Sequence, residues 1–242
     1  MTSSLKLSAF GDGSFSNPTL FRSIVGGLQY ATITRPEISF SVNKVAQFLH
    51  NPLESHWKAV KRILRYLAGT TEYGLRFSKF TNFRIYGFCD SDWASDVDDR
   101  KSTNGYGIYL GSNLVSWASR KQTAVSKSST EAEFRGIADA VTEIIWLQNL
   151  LSEMRIACST KPVVYCDNQS AVMLSANPII HNKSKHFALN QSFVRDYVTR
   201  KKIFVQHIPA QDQLADTLTK PLSTTTFDRF RKLLRVFNTE SS

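Results

Sequence analysis

Arg84-Ile85-Tyr86-Gly87-Phe88-Cys89-Asp90-Ser91-Asp92-Trp93 is the stretch on which the reading of this 242-residue chain turns. Bulky and small residues alternate for six positions, and the run then meets a carboxylate. Ile85, Gly87 and Cys89 fall on one face and Tyr86 and Phe88 on the other, which predicts a strand buried on part of both faces. Asp90 stands at its C-terminal end, where an open sheet presents functional groups to a cleft. A carboxylate leaving a buried strand costs free energy unless it gains a partner, and a metal ion is one such partner.

A near copy lies 77 residues on. Pro162-Val163-Val164-Tyr165-Cys166-Asp167 is a second apolar run ending in aspartate. Between the two, Gly105 to Leu110 and Leu114 to Ala118 read as strands around a Gly111-Ser112-Asn113 turn, so residues 83–118 predict an antiparallel meander. The longest helix is expected over about 129–154, with Glu131 and Glu133 in its first turn and an apolar stripe from Phe134 to Met154. Asn168 starts a short helix that Asn177-Pro178 breaks. Another helix runs from about Lys185 to Thr199. Lys202 to Ile208 reads as a fifth strand, Gln213 to Leu218 as a short helix containing Asp216, and Thr225 to Phe237 as a last helix with Arg229, Arg231, Lys232 and Arg235. If the two aspartate-ending strands pair, Asp90 and Asp167 project at the same sheet end. The long helix brings Glu133 over that end, and Asp216 follows the last strand. Four convergent carboxylates cannot all stay ionised without cations. Hard oxygen donors of this kind suit Mg2+ or Mn2+. Two such ions about 4 Å apart would activate a water and stabilise a leaving oxygen in phosphodiester hydrolysis.

The segment before the first strand has a different character. Residues 1–17 read as a flexible N-terminal tail. Asn17-Pro18 then starts a helix. A second carries Ile38, Val42, Val45, Phe48 and Leu49. A third, from about Leu53 to Leu67, shows Lys58, Lys61, Arg62 and Arg65 on its outer face. The first 80 residues hold ten Lys/Arg against four Asp/Glu, a net of +6 within a chain total of +10. Such a balance favours polyanion partners. The expected division is a tail at 1–17, a helical unit at 18–80, a sheet domain at 81–222, and a basic C-terminal helix and tail at 223–242.

Composition narrows the class. Hydrophobic content of 42% supports a proper core and excludes global disorder. Cys89, Cys158 and Cys166 are too few for a disulfide framework, and no spacing suggests zinc. No apolar run reaches bilayer length, so no membrane partner is expected, and the expected compartment is cytosol or nucleus.

The local motifs carry a closer resemblance. Cys89-Asp90-Ser91-Asp92-Trp93-Ala94, Arg100-Lys101-Ser102-Thr103-Asn104-Gly105-Tyr106, Ser128-Ser129-Thr130-Glu131-Ala132-Glu133-Phe134, Tyr165-Cys166-Asp167-Asn168-Gln169-Ser170-Ala171 and Gln213-Leu214-Ala215-Asp216-Thr217-Leu218-Thr219-Lys220-Pro221 follow in order. Together they resemble the ribonuclease H region of copia-type LTR retrotransposon Pol polyproteins. Upstream, Phe21 to Tyr30, Thr34 to Ile38 and Trp57 to Leu67 are similar to the segment joining the reverse transcriptase to that nuclease. The resemblance implies an α/β, ribonuclease H-like mixed five-stranded sheet flanked by helices, preceded by a small three-helix unit. It implies hydrolysis of the RNA strand of RNA–DNA hybrids with two Mg2+ (or Mn2+) ions. Asp90, Glu133, Asp167 and Asp216 are the implied catalytic and metal-binding carboxylates. Asp90 would bridge the ions, Asp167 and Glu133 would serve the leaving-group side, and Asp216 the water side. Asp92 is assigned to capping or turning the chain after the strand, and Glu131 to the helix start.

Asn168, Gln169, Arg120, Lys121 and Lys127 are candidate nucleic-acid contacts, each weighed against helix capping or simple solvation. Trp93 and Trp117 are expected in the core, and His186 in a packing role. Asn190 and Ser192 stand where the family carries an acid and a histidine. No Tyr-Val-Asp-Asp-like motif precedes residue 80, so the expected polymerase partner would be a missing portion of a Pol polyprotein. The competing expectation is a non-catalytic nucleic-acid-binding remnant of a mobile element.

Overall fold

A computed structural model describes residues 6–11, 13–158, 160–177 and 185–239. The elements run α1 (Pro18–Ala31), α2 (Ser39–Ala46), α3 (Glu54–Ala68), β1 (Tyr73–Leu75), β2 (Ile85–Asp92), β3 (Thr103–Leu110), β4 (Asn113–Lys121), α4 (Ser129–Glu153), β5 (Val163–Cys166), α5 (Gln169–Ala176), α6 (Lys185–Thr199), β6 (Phe204–His207), α7 (Thr224–Leu233) and β7 (Val236–Asn238). Short 3-10 turns cover Pro36–Ile38, Ala210–Asp212 and Leu214–Leu218.

Five strands form one sheet in the order β4-β3-β2-β5-β6. β2, β3 and β4 make the antiparallel meander. β5 adds parallel to β2, and β6 parallel to β5. This is the ribonuclease H-like mixed sheet that the motifs imply. The opening strand sits at its centre, so both its faces are covered. One face packs under α4. Ile85, Cys89, Ile108, Val164 and Cys166 meet Phe134, Ile137, Val141 and Ile144 there. Each such fully buried side chain contributes about 1.5–3 kcal/mol. Met154, expected in the stripe, caps the helix and is exposed, because α4 has passed the sheet by then.

The other face is covered by the chain's C-terminal part. Tyr109 and Leu114 pack with Leu214, Phe230, Leu234 and Val236, and Tyr86 and Phe88 lie against them. The sequence reading of one basic helix to Phe237 is corrected. α7 ends at Leu233, Arg235 takes a left-handed conformation at φ 68°, and β7 turns back to pair with β1. Residues 224–238 are therefore a lid on the sheet and a tie to residues 73–75.

The helical unit has its own core of Phe21, Val25, Leu28, Ile38, Val42, Val45, Val60 and Ile63. Leu7 and Phe15 are buried in it, and Ser14 bridges to Leu53. The tail expected over 1–17 is thus packed over the described residues near Leu7 and Phe15, because both supply apolar area the three helices alone leave open. The Asn177-Pro178 break falls partly outside the described residues, and so does the side chain of His186.

Asp96 joins the two parts. Its carboxylate receives Lys44 Nζ from α2 at 2.8 Å, Lys121 Nζ from β4 at 2.9 Å and the Asp98 N–H at 3.0 Å. Burial disfavours its charge, but the two ammonium groups and the N–H outweigh burial and hold its carboxyl well below the usual range. A depressed folded-state pKa gives stability that is present above the unfolded value and lost as pH falls towards the folded one. Equilibrium unfolding should therefore show a steep loss of stability below about pH 4. Asp96→Asn should cost about 2–4 kcal/mol at neutral pH and flatten that acid limb. An unchanged acid limb in the variant would contradict this role.

Candidate active site

The four acids singled out in the sequence meet at one end of the sheet. β2 carries Asp90 beyond the Phe88–Tyr165 pair, and β5 leads into Asp167 at the same level. Asp90 is 1% exposed and Glu133 6%, while Asp167 and Asp216 are half-buried. Carboxylate oxygens of Asp90, Asp167 and Asp216 lie within 4.8 Å of one another. Glu133, Asp167 and the Cys166 thiol form a second such group. Asp167 is the member common to both, whereas the resemblance gave the shared position to Asp90.

Local sequence explains each placement. Ser128 caps α4 by accepting the Glu131 N–H at 3.2 Å, and Glu131 in turn accepts the Lys127 N–H at 3.1 Å and pairs with Arg135 at 2.9 Å. Glu131 thus serves the helix start, and Glu133 is left to face the sheet. Gly136, one turn on, lets the helix lie against β2. A Cβ there would stand 2.9 Å from Ser91 Oγ and 3.5 Å from the Asp90 carbonyl oxygen. Asp216 is held by the 3-10 turn after β6. Gln213 fixes that turn by donating from Nε2 to the Cys89 carbonyl at 2.8 Å. The turn presses onto Gly105, the register partner of Asp90. A Cβ on Gly105 would meet Leu218 Cβ at 2.6 Å and Thr219 Cγ2 at 2.8 Å.

Burial first, and crowding second, set the electrostatics. Burial first, then Asp90, the Cys166 thiol and Asp167, push Glu133 up to about 11. Burial and Asp90 push Asp216 up to about 7, against the pull of Lys220. Asp167 is raised by burial and by Asp90. The Cys89 thiol is raised by its contact with Cys166 and by burial. Carboxyls raised by burial and by one another are short of positive charge, and their donor set is all oxygen apart from Cys166. These residues fit one or more hard divalent cations.

Two residues that were quoted in the motifs but given no role complete the site. Thr219 donates its hydroxyl to Asp90 Oδ2. Lys220 places Nζ 2.8 Å from Asp216 Oδ1 and 3.6 Å from Asp90 Oδ2. Burial would lower its pKa, but Asp90 and Asp216 outweigh burial and raise it. The i,i+4 spacing of Asp216 and Lys220 was the available signal.

The candidate nucleic-acid contacts divide. Asn168 caps α5, accepting the Ala171 N–H at 2.9 Å, while Gln169 beside it is exposed. Lys121 is engaged by Asp96 and Asp99. Arg120 and Lys127 are exposed. His207, in β6, has Nε2 3.1 Å from the Asp167 carbonyl oxygen. Trp93 is corrected: it is 47% exposed, with Nε1 donating to the Ser126 carbonyl, while Trp117 is half-buried and donates to Thr32. Asp92 is the last residue of β2, paired with Thr103, and its side chain bonds to Ser95 in the turn that follows.

A mixed sheet of this order with acids at one end defines the ribonuclease H-like class. The foamy viral protease-reverse transcriptase in complex with dsDNA shares the fold, with a TM-score of 0.51 at 13% identity over 84% of this chain and 40% of that one. No protein-family model matches the chain. It is 45% identical over 242 residues to the retrovirus-related Pol polyprotein from transposon RE2 of Arabidopsis thaliana, and 47% identical over 236 residues to that from transposon RE1 of the same plant. The corresponding polyprotein from transposon TNT 1-94 of Nicotiana tabacum is 39% identical over 215 residues. Over its whole length the chain is homologous to copia-type, retrovirus-related Pol polyproteins. It covers 100% and 98% of itself in the first two matches, but spans only 17% and 16% of those relatives' lengths.

The Gly105 contact gives a direct test of how the site is held. Gly105→Ala should lower stability by about 1–3 kcal/mol in denaturant unfolding and displace the 214–220 segment. Wild-type stability in that variant would mean the turn does not depend on the close approach.

Proposed function

We propose that this chain is a ribonuclease H that hydrolyses the RNA strand of RNA–DNA hybrids with divalent metal ions. The observation that carries the reading is the convergence of Asp90, Glu133, Asp167 and Asp216 at one sheet end, where burial and mutual repulsion raise the carboxyls of Glu133, Asp167 and Asp216. These four would hold the ions. When bound, Mg2+ or Mn2+ would supply a water acidified to a nucleophile and charge stabilisation at the phosphate.

The chain's own residues set the rest. Asp90 is fixed by Thr219 and by its place in the central strand, so its carboxylate is pre-positioned before substrate arrives. Glu133 and Asp167 approach from α4 and β5, and Asp216 closes the group on a separate turn. Asp167 and Asp216 form the open side of the cluster, and this side would meet the scissile phosphate. Gln169, Arg120 and Lys127 are the exposed candidates for the hybrid, since Asn168 and Lys121 are held by structural partners. The foamy viral enzyme has also been solved in complex with an RNA/DNA hybrid, with a TM-score of 0.50 to this chain, which supports the choice of substrate. We read residues 18–80 as the piece that links such a nuclease to a polymerase.

Purified protein should cleave the labelled RNA strand of a hybrid in Mg2+ and lose the activity in chelator. Asp90→Asn should lower the rate by at least about 10²-fold, the equivalent of a few kcal/mol of charge stabilisation. Equal rates for the two proteins would remove the metal-site assignment. Tight hybrid binding with no cleavage would instead favour the non-catalytic remnant.

A further inference from the structure

Among the described residues, Lys220 is the one cation that ion-pairs with the candidate ligands. Its Nζ lies between Asp216 Oδ1 at 2.8 Å and Asp90 Oδ2 at 3.6 Å. Those oxygens belong to the trio of acids that lie within 4.8 Å of one another. Its side chain is 33% exposed, so it can leave without unfolding its surroundings. There is room for it to go. Lys220 also lines a cavity of about 310 Å³ between the helical unit and the C-terminal segment, with Arg62, Tyr66, Thr217, Phe227 and Asp228 around it. The backbone beneath it is held firmly, because Thr219 is fully buried and bonded to Asp90. The Lys220 side chain can therefore change position while its backbone stays in place.

We propose that the Lys220 ammonium is a built-in counter-cation of the carboxylate site, so that a divalent ion binds by displacing it towards the neighbouring cavity. This rests on the metal-nuclease reading and adds that the chain itself sets how much ion it needs. A monovalent ammonium neutralises part of the acids' repulsion and keeps the ion-free site closed. A divalent ion does so more completely but must first compete with a tethered cation. Removing Lys220 should therefore strengthen ion binding and weaken the ion-free fold, a pair of effects that a purely structural lysine would not give.

Isothermal titration of Mg2+ or Mn2+ into the full chain, without nucleic acid, tests this. Lys220→Gln should bind the ion about tenfold more tightly than wild type, only part of the full Coulomb effect because the side chain is partly solvated. Lys220→Arg should stay near wild type, since it keeps the charge. Thermal unfolding should show Lys220→Gln less stable than wild type in chelator, with the gap narrowing at saturating ion. Should Lys220→Gln not fold in chelator, its refolding on addition of Mg2+, followed by circular dichroism, supports the proposal, and failure to refold overturns it. Equal or weaker ion binding by a folded Lys220→Gln also overturns it. No ion binding by wild type or by either variant would remove the metal-nuclease reading, and this inference with it.

Discussion

Everything at the business end of this molecule depends on bringing like charges together out of water. Asp90 and Glu133 are almost fully buried, Asp167 and Asp216 half-buried, and a trio of these carboxylates meets within 4.8 Å. Left alone, such a group would repel and seek protons, and the raised carboxyls of Glu133 and Asp216 express that. The fold supplies the opposing force. Apolar packing under α4 and under the C-terminal lid holds the strands in place, and the acids come with them. Such stored repulsion suits a site that receives cations.

Two close approaches make the geometry available. At Gly136 the helix bearing Glu133 descends onto the central strand. At Gly105 the turn bearing Asp216 lies against the register partner of Asp90. Side chains at either point would hold an acid away from the others. The helical unit contributes at a distance through Asp96, where Lys44 and Lys121 from separate parts of the chain share one carboxylate.

Much of this was legible from residue order. The central strand showed in its alternation and in the terminal aspartate, and its near repeat at Asp167 pointed to a parallel neighbour at the same level. Both Glu131 and Glu133 suit a helix start, and it was the resemblance that singled out Glu133 and left Glu131 to the cap. Less legible were features set by long-range packing. Leu7 and Phe15 sit in a stretch rich in Ser, Gly and Asn, whose composition hides two core residues. Residues 236–238 continue a helical pattern, and only the left-handed Arg235 and the pairing with Tyr73–Leu75 turn them into a strand. Trp93 follows a buried strand yet lies half in solvent, because its indole bonds outward to the loop before α4. Thr219 and Lys220 went unassigned because their roles arise only once the turn folds over Asp90.

The central claim is that these acids form an ion site around which the chain is built. Crystals of the protein soaked in Mn2+ and measured at the manganese absorption edge test it most directly. The account predicts anomalous density between Asp90 and its partner acids at coordination distances of about 2.0–2.2 Å, with the Lys220 side chain moved off Asp216. Ordered acids with no anomalous density among them, and Lys220 still paired to Asp216 at saturating Mn2+, would contradict it.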